Sequence, residues 1–423
     1  MKSIYVSPLL LSVAAAAAAT AVTAKTSYDG SKVIRVAVGD QAAKVSDMIS
    51  QMSLSKWEGR AERNGHVDLV VPQGKLQQFE DSTSNMDTSV MLADLGAAIA
   101  EEGNFDVYRA GSANETWFNS YHAYDDHIQF LNDLQAAHPD NSEIVVPGKS
   151  GDGRDITGIH FYGDGGKGSK PAIVLHGTVH AREWITTMVV EYLAYNLLSN
   201  FDTNADVKNL VNKYDFYIFP IVNPDGFVFT QTTNRLWRKN RQRQSGSSCI
   251  GRDINRNWPY KWDVPGGAST NPCDETFKGR NPNDAPETKV LAAFLDEVAE
   301  QENGLKLFID YHSYSQLLMT PYGYSCTALA TNNAELQTLA QGSVAAIRAV
   351  FGTVFETGPI CSTIYPTTGS SVDYATDVSR AQYTFTYELR DTGRYGFVLP
   401  PDQILDSAIE AYAGFRHLLV NMR

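Results

Sequence analysis

Apolar and polar positions along the chain change character near residue 110. Before it, residues 33–38 (VIRVAV) and 66–71 (HVDLVV) read as short strands, with amphipathic stretches at Ala42 to Met52, Lys75 to Phe79 and Met91 to Glu102. This pattern predicts a small α+β unit. Between Asn104 and Trp117 the segment NFDVYRAGSANETW has little periodicity and a single basic residue, Arg109, as an exposed linker would. Downstream, helices are expected at Tyr121 to His138, Ile185 to Leu198, Pro286 to Glu302, Asn333 to Val350 and Asp402 to Met422. Strands are expected at Pro171 to Leu175, Phe216 to Val222 (ending in the turn NPDG), Leu305 to Tyr311 and Tyr383 to Tyr387. Apolar strands between helical stretches predict an α/β fold, with a mixed, mostly parallel sheet and helices on both faces. Sheets of this kind bind ligands at the carboxyl ends of their strands.

That rule directs attention to HGTVHAREW, His176 to Trp184, which follows the apolar run 171–175 and holds His180 and Glu183 three residues apart. Zinc accepts imidazole nitrogen and carboxylate oxygen, and a catalytic zinc takes three protein ligands with a fourth position left to water. A third ligand must therefore come from downstream. His312, just past the apolar run LKLFIDY, sits at the same kind of strand end. His66, His122, His127, His138 and His417 lie in polar or helical settings, which leaves His176 and His160 as competitors. At a strand end, His176-x-x-x-His180 does not converge two imidazoles as a helix would, so His176 is expected to be a buried, hydrogen-bonded histidine. The segment TFTYELRDTGRYGF brings Glu388 to another strand end, where a carboxylate near a metal can serve as general base. From the residues alone, Glu388 reads equally well as a structural partner of Arg390.

Composition narrows the setting. A chain of 423 residues with 43% hydrophobic content can bury at least one large core, and its length suits two to three domains. A net charge of −13 argues against nucleic-acid or anionic-membrane partners. Met1 and Lys2, then an apolar stretch through Leu9 to Leu11 and the alanines to Ala24, read as a secretory signal peptide cleaved between residues 17 and 24. In a secreted, extracellular chain, Cys249, Cys273, Cys326 and Cys361 imply up to two disulfides with three possible pairings. Asn114-Glu115-Thr116 is an N-glycosylation acceptor.

From His180 to Phe397 the blocks HAREW, LWRKNR, DINRNW, IDYHSYSQLL with PYGY, TIYPTTGSSVDY and FTYELRDTGRYGF follow in order. In order and spacing they resemble the secreted zinc metallocarboxypeptidases of the A/B type, from about Trp117 to the C-terminus. The preceding region resembles the inhibitory prosegment of those enzymes, a small open sandwich. The resemblance implies a signal peptide at 1–24, an inhibitory propeptide at 25–112 and a zinc carboxypeptidase domain at 113–423. It implies one zinc ion held by His180, Glu183 and His312, with Glu388 as general base and Arg238 stabilising the oxyanion.

Asn255 and Arg256 match the pair that grips a substrate's terminal carboxylate, which a planar guanidinium can meet with two parallel hydrogen bonds. Holding that carboxylate places only the last peptide bond over the metal, so binding geometry makes the enzyme an exopeptidase. Arg182, Ser313 and Tyr314 match further substrate contacts, Tyr365 a tyrosine that closes over the bound terminus, and Asp253 a carboxylate that orients a zinc-bound histidine. Val372, just before Asp373, matches the bottom of the side-chain pocket, with Ile360 on the opposing wall and Thr367 and Ser371 lining it. Nothing there would neutralise a lysine or arginine, whose unpaired burial costs several kcal/mol. A-type preference for aromatic or aliphatic C-terminal residues follows.

The resemblance also pairs Cys249 with Cys273 and, as in some members, Cys326 with Cys361. It makes peptide C-termini the substrate, the chain's own propeptide the inhibitor, and an activating protease a partner of a monomeric enzyme. Arg109 suits a trypsin-like activator, and Ala110 to Ala113 suit others. A metal-free binding module, a same-fold hydrolase of other acyl-amino acids and a B-type enzyme are the alternatives. The first is disfavoured by the intact ligands and base, the second by Arg256 and Tyr365, the third by Val372.

Overall fold

The computed structural model describes residues 24–59, 61–111 and 113–423, so nearly all of the predicted signal peptide lies outside the described residues. Strands β1 (Lys32–Ala37), β2 (Ser55–Gly59), β3 (His66–Val71) and β4 (Thr88–Leu92) form an antiparallel sheet in the order β2-β3-β1-β4. Alternate residues point to opposite faces of a strand. Ile34, Val36, Leu69 and Val71 therefore pack with Val45, Met48 and Phe79 in this unit's own core, whereas Val33 and Val70 join Leu236, Tyr314 and Phe397 of the larger unit. The propeptide-like sheet thus has two apolar faces, one of them docked. The stretch expected from Met91 to Glu102 divides, because Asp94 accepts from the Ala97 amide and starts the helix Leu95–Glu102 only after β4 has ended.

The larger unit carries β5 (Ser142–Val145), β6 (Gly158–Phe161), β7 (Ala172–His176), β8 (Asp215–Phe219), β9 (Leu305–His312), β10 (Leu317–Thr320), β11 (Glu356–Pro359) and β12 (Tyr383–Glu388). They form one sheet in the order β11-β10-β12-β9-β7-β8-β6-β5. The central β12, β9, β7 and β8 run parallel, while β10/β12, β8/β6 and β6/β5 are antiparallel. This is the mixed sheet expected. Ile173 and Leu175 face a core shared with the helices Trp184–Ser199 and Ile404–Asn421, and Ala172 and Val174 face one shared with Pro286–Ala299 and Ser371–Asp377. Burial on both faces explains why these central strands read as unbroken apolar runs.

Two local expectations are corrected. NPDG is a helix start rather than a turn: the Asn223 side chain accepts from the Gly226 amide and Pro224 opens the helix Pro224–Thr232. The segment 104–117 is not simply an exposed linker, because its aromatic residues draw it onto the enzyme. Phe105 packs on Trp184, Tyr108 meets Trp117 edge-on, and Trp117 is buried and stacked on His122 at 3.5 Å. Among the described residues no helix is long and apolar enough to cross a membrane.

Candidate active site

Three neighbouring parallel strands end together. β7 stops at His176, β9 ends on His312 itself rather than before it, and β12 ends on Glu388, which is in register with His312. After β7 the chain makes a tight turn in which Thr178, at φ +53°, donates from its hydroxyl to the Pro220 carbonyl at 2.8 Å. That turn carries His180 and Glu183 to the mouth of the sheet, and Glu183 immediately precedes the helix Trp184–Ser199.

The side chains converge there. His180 Nδ1 lies 2.9 Å from Glu183 Oε1, and His312 Nδ1 lies 3.0 Å from His180 Nδ1 and 3.2 Å from Glu183 Oε2. All three residues are buried, and they are a group whose donor atoms can meet on one ion. Two imidazole nitrogens and a carboxylate turned toward one point satisfy a cation better than one another. Each histidine's other nitrogen faces a buried carboxylate, His180 Nε2 toward Asp253 Oδ1 and His312 Nε2 toward Asp310 Oδ2, both at 3.2 Å. Carboxylates behind ligating histidines fix the tautomer and ring orientation, so the set fits a catalytic zinc.

Of the competing histidines, His176 is buried edge-on against Phe219 and Phe308 as expected, but among the described residues neither ring nitrogen has a hydrogen-bond partner, unlike the expected hydrogen-bonded state. Burial pushes its pKa down to about 4. His160 stacks on Tyr217 and bonds Glu143, well away from the triad.

Arg238 is buried rather than part of an exposed basic loop, with Nε and Nη2 donating to Asp253 Oδ2 at 3.2 and 2.8 Å and Nη1 3.8 Å from Glu183 Oε1. Asp253 thus braces a zinc-type histidine and an arginine at once. Burial alone would push its carboxyl up, but Arg238 and His180 hold it well below the usual carboxylate range. Asp253 also accepts from the Asn255 amide, fixing the short turn Ile254–Arg256. Arg256 donates from Nε to the Gly267 carbonyl at 3.1 Å and from Nη1 to the Asn255 carbonyl at 2.8 Å, which sets the plane of its guanidinium.

Glu388 lines the same pocket as the triad, and burial pushes its carboxyl well above the usual range against the pull of His312. Arg390 is not its partner, since Arg390 donates to both oxygens of Glu410 at 2.6 and 2.7 Å. Arg238, Asn255, Arg256, Ser313, Tyr314 and Tyr365 line this pocket too, with Thr367 and the apolar Ile360 and Val372. Arg182 lies over Phe397 in the cleft beneath the N-terminal unit, which adjoins this pocket through Glu58, Arg238 and Tyr365. Ser371 is turned to Asp310, so Ser370 is the serine at the pocket wall. Both disulfides, Cys249–Cys273 and Cys326–Cys361, are formed, and the second fastens the short helix Ile360–Thr363 that carries a pocket wall.

Sequence reading missed six residues, among them Ile364 and Ser370 of the pocket. Asp310 shares a strand face with His312 two positions away, a spacing that would have revealed it. Met319 and Thr386 line the pocket from β10 and β12. Glu58 lines it from β2 of the N-terminal unit, where Trp57 anchors on Phe397 at 5.1 Å. Its strand, Ser-Lys-Trp-Glu-Gly, has one apolar residue and no alternation to detect.

Fold and site together define a metal-dependent hydrolase of α/β architecture, closed over by its own N-terminal unit. The zinc carboxypeptidase family model matches residues 127–414, and the carboxypeptidase activation peptide model matches residues 34–102. A metallocarboxypeptidase A-like protein of Trichophyton verrucosum is 50% identical over 404 residues, 94% of each chain. Crystal structures of thrombin activatable fibrinolysis inhibitor (TM-score 0.87, 26% identity, 92% of this chain and 98% of that one) and of carboxypeptidase A from Helicoverpa armigera (0.79, 27%, 93% and 98%) share the fold. The chain belongs to the zinc carboxypeptidase family and carries that family's activation peptide. It is a metallocarboxypeptidase made as a zymogen, and its cofactor is zinc.

Proposed function

We propose that the protein is secreted and, once activated, removes single aromatic or aliphatic residues from the C-termini of peptides and proteins. The observation that carries this specificity is Val372, buried with Ile360 in the pocket that also holds Arg256, Met319 and Ile364, where among the described lining residues the only acids are Glu58 of the N-terminal unit, Glu183 of the histidine–glutamate group and Glu388. A C-terminal lysine or arginine would enter unpaired, at a cost of several kcal/mol. Two disulfides and the acceptor at Asn114 suit an oxidising, extracellular setting. The signal peptide is assigned to 1–24, the propeptide region to 25–112 and the enzyme domain to 113–423, with the activating cut itself falling between Arg109 and Ala113.

In this reading His180, Glu183 and His312 hold the zinc. When bound, the ion supplies Lewis acidity for the scissile carbonyl and lowers the pKa of water. Arg256 and Asn255 take the substrate's carboxylate, Tyr365 covers it, and Arg238 stands where negative charge develops on the carbonyl oxygen. Glu388 accepts a proton from the attacking water and returns it to the leaving amine. Before activation, Glu58 of the N-terminal unit lines the same pocket as Arg238 and Arg256.

Hydrolysis of peptides ending in Phe, Leu, Arg or Glu by the activated protein, with zinc content measured before and after chelation, tests this reading. Turnover of Phe and Leu termini at least a hundredfold above Arg, lost as zinc is removed, is expected. Equal cleavage of Arg would overturn the pocket assignment.

A further inference from the structure

The crossing from propeptide to enzyme holds a side-chain cluster that the catalytic chemistry does not use. The Tyr108 hydroxyl donates to Asp133 Oδ2 at 2.8 Å, and the Gly111 amide donates to the same oxygen at 2.6 Å. Asp133 belongs to the helix Tyr124–Ala137 in the body of the enzyme, where the Gln129 side-chain amide donates to its other oxygen at 2.8 Å. One carboxylate therefore grips the segment on both sides of the Arg109–Ala110 bond. Burial pushes its carboxyl up, but the Gly111 amide, the Tyr108 hydroxyl and Gln129 together hold it below the usual range.

The surroundings reinforce the grip. Phe105 packs on Trp184, the Asp106 amide donates to Ser120 Oγ at 3.1 Å, and the Tyr108 ring lies 4.7 Å from that of Trp117. Ala110 and Gly111 lie in a turn, with Gly111 at φ +85°. Proteins that capture an extended peptide pair its main chain as an added strand. A protease cutting after Arg109 in this way would need Gly111 out of its left-handed conformation and its amide free. Neither condition holds while Asp133 is in place.

We propose that Asp133 is a clasp on the activation segment, setting how fast a trypsin-like protease cuts after Arg109. After the cut, Tyr108 stays with the propeptide and Gly111 with the enzyme, so the same carboxylate goes on holding the freed end. The proposal rests on reading residues 104–112 as the activation segment.

Trypsin is added at a fixed ratio to the parent zymogen and to the Asp133→Ala and Tyr108→Phe variants, and scission after Arg109 is followed by intact mass. Cleavage about tenfold faster in Asp133→Ala and about threefold faster in Tyr108→Phe is expected, the order that loss of one or two hydrogen bonds gives. Tyr108→Phe leaves the enzyme body untouched, so it carries the test if Asp133→Ala unfolds. Rates within twofold of the parent in Tyr108→Phe overturn the proposal, as does a failure of trypsin to cut after Arg109 in either variant. Neither result bears on the substrate panel, which reads the pocket alone.

Discussion

The role proposed for Glu388 shows what one residue must do to be a base rather than a strut. Arg390, its nearest sequence candidate for a salt bridge, is committed to Glu410, and Glu388 itself faces the pocket beside His312. Replacing it by glutamine keeps shape and removes the proton acceptor. Turnover of a blocked dipeptide ending in Phe is expected to fall about 10²–10⁴-fold with zinc content unchanged; activity within tenfold of the parent would disprove the assignment. At this scale the convergence of His180, Glu183, His312 and Glu388 on one pocket was legible in the sequence, because ligand and base chemistry restricts residue type. It was least legible for Glu58 and Met319, whose importance comes from where folding delivers them and not from what they are.

Among the elements, the long central strands and helices were readable because burial on both sheet faces leaves continuous apolar runs. The strands β5, β6, β10 and β11, of four residues each, were not, since so short a run shows no period. The start of the helix at Tyr124 is tied to a buried cluster in which His127 bonds Glu191, Trp117 bonds the same carboxylate, and His122 Nε2 meets the Trp117 carbonyl at 2.7 Å. Burial first, and the neighbouring His127 second, push His122 down to about 4. A histidine whose folded pKa lies below its unfolded value near 6.5 costs stability as pH falls, because the unfolded chain takes the proton first. Between pH 6.5 and 4 this residue should withdraw roughly 2–3 kcal/mol. His122→Gln, compared with the parent by urea midpoints at pH 7 and 4.5, should show a smaller loss over that interval; equal losses would remove His122 as the cause.

The whole molecule is two units joined at a face that is partly apolar and partly ionic. Trp57, Val33 and Val70 press on Phe397 and Leu236, while Glu102, the last residue of its helix, takes Arg235 through both oxygens at 2.6 Å. Arg235 also donates to the Arg182 and Phe397 carbonyls and lies over the Trp184 ring. Both partners are buried, so removing one leaves the other uncompensated, a loss of about 3–5 kcal/mol. Glu102→Ala should therefore release the cleaved propeptide at least a hundredfold faster, seen as quicker recovery of activity on dilution; an unchanged rate would show the apolar contacts alone hold the units together. The apolar floor at Val372 reaches beyond the choice of substrate. A propeptide cut after Arg109 would end in arginine, the residue that the proposed A-type pocket would turn away. The freed inhibitor would then be exempt from digestion by the enzyme it restrains, and its lifetime would belong to whatever basic-specific peptidases share the medium.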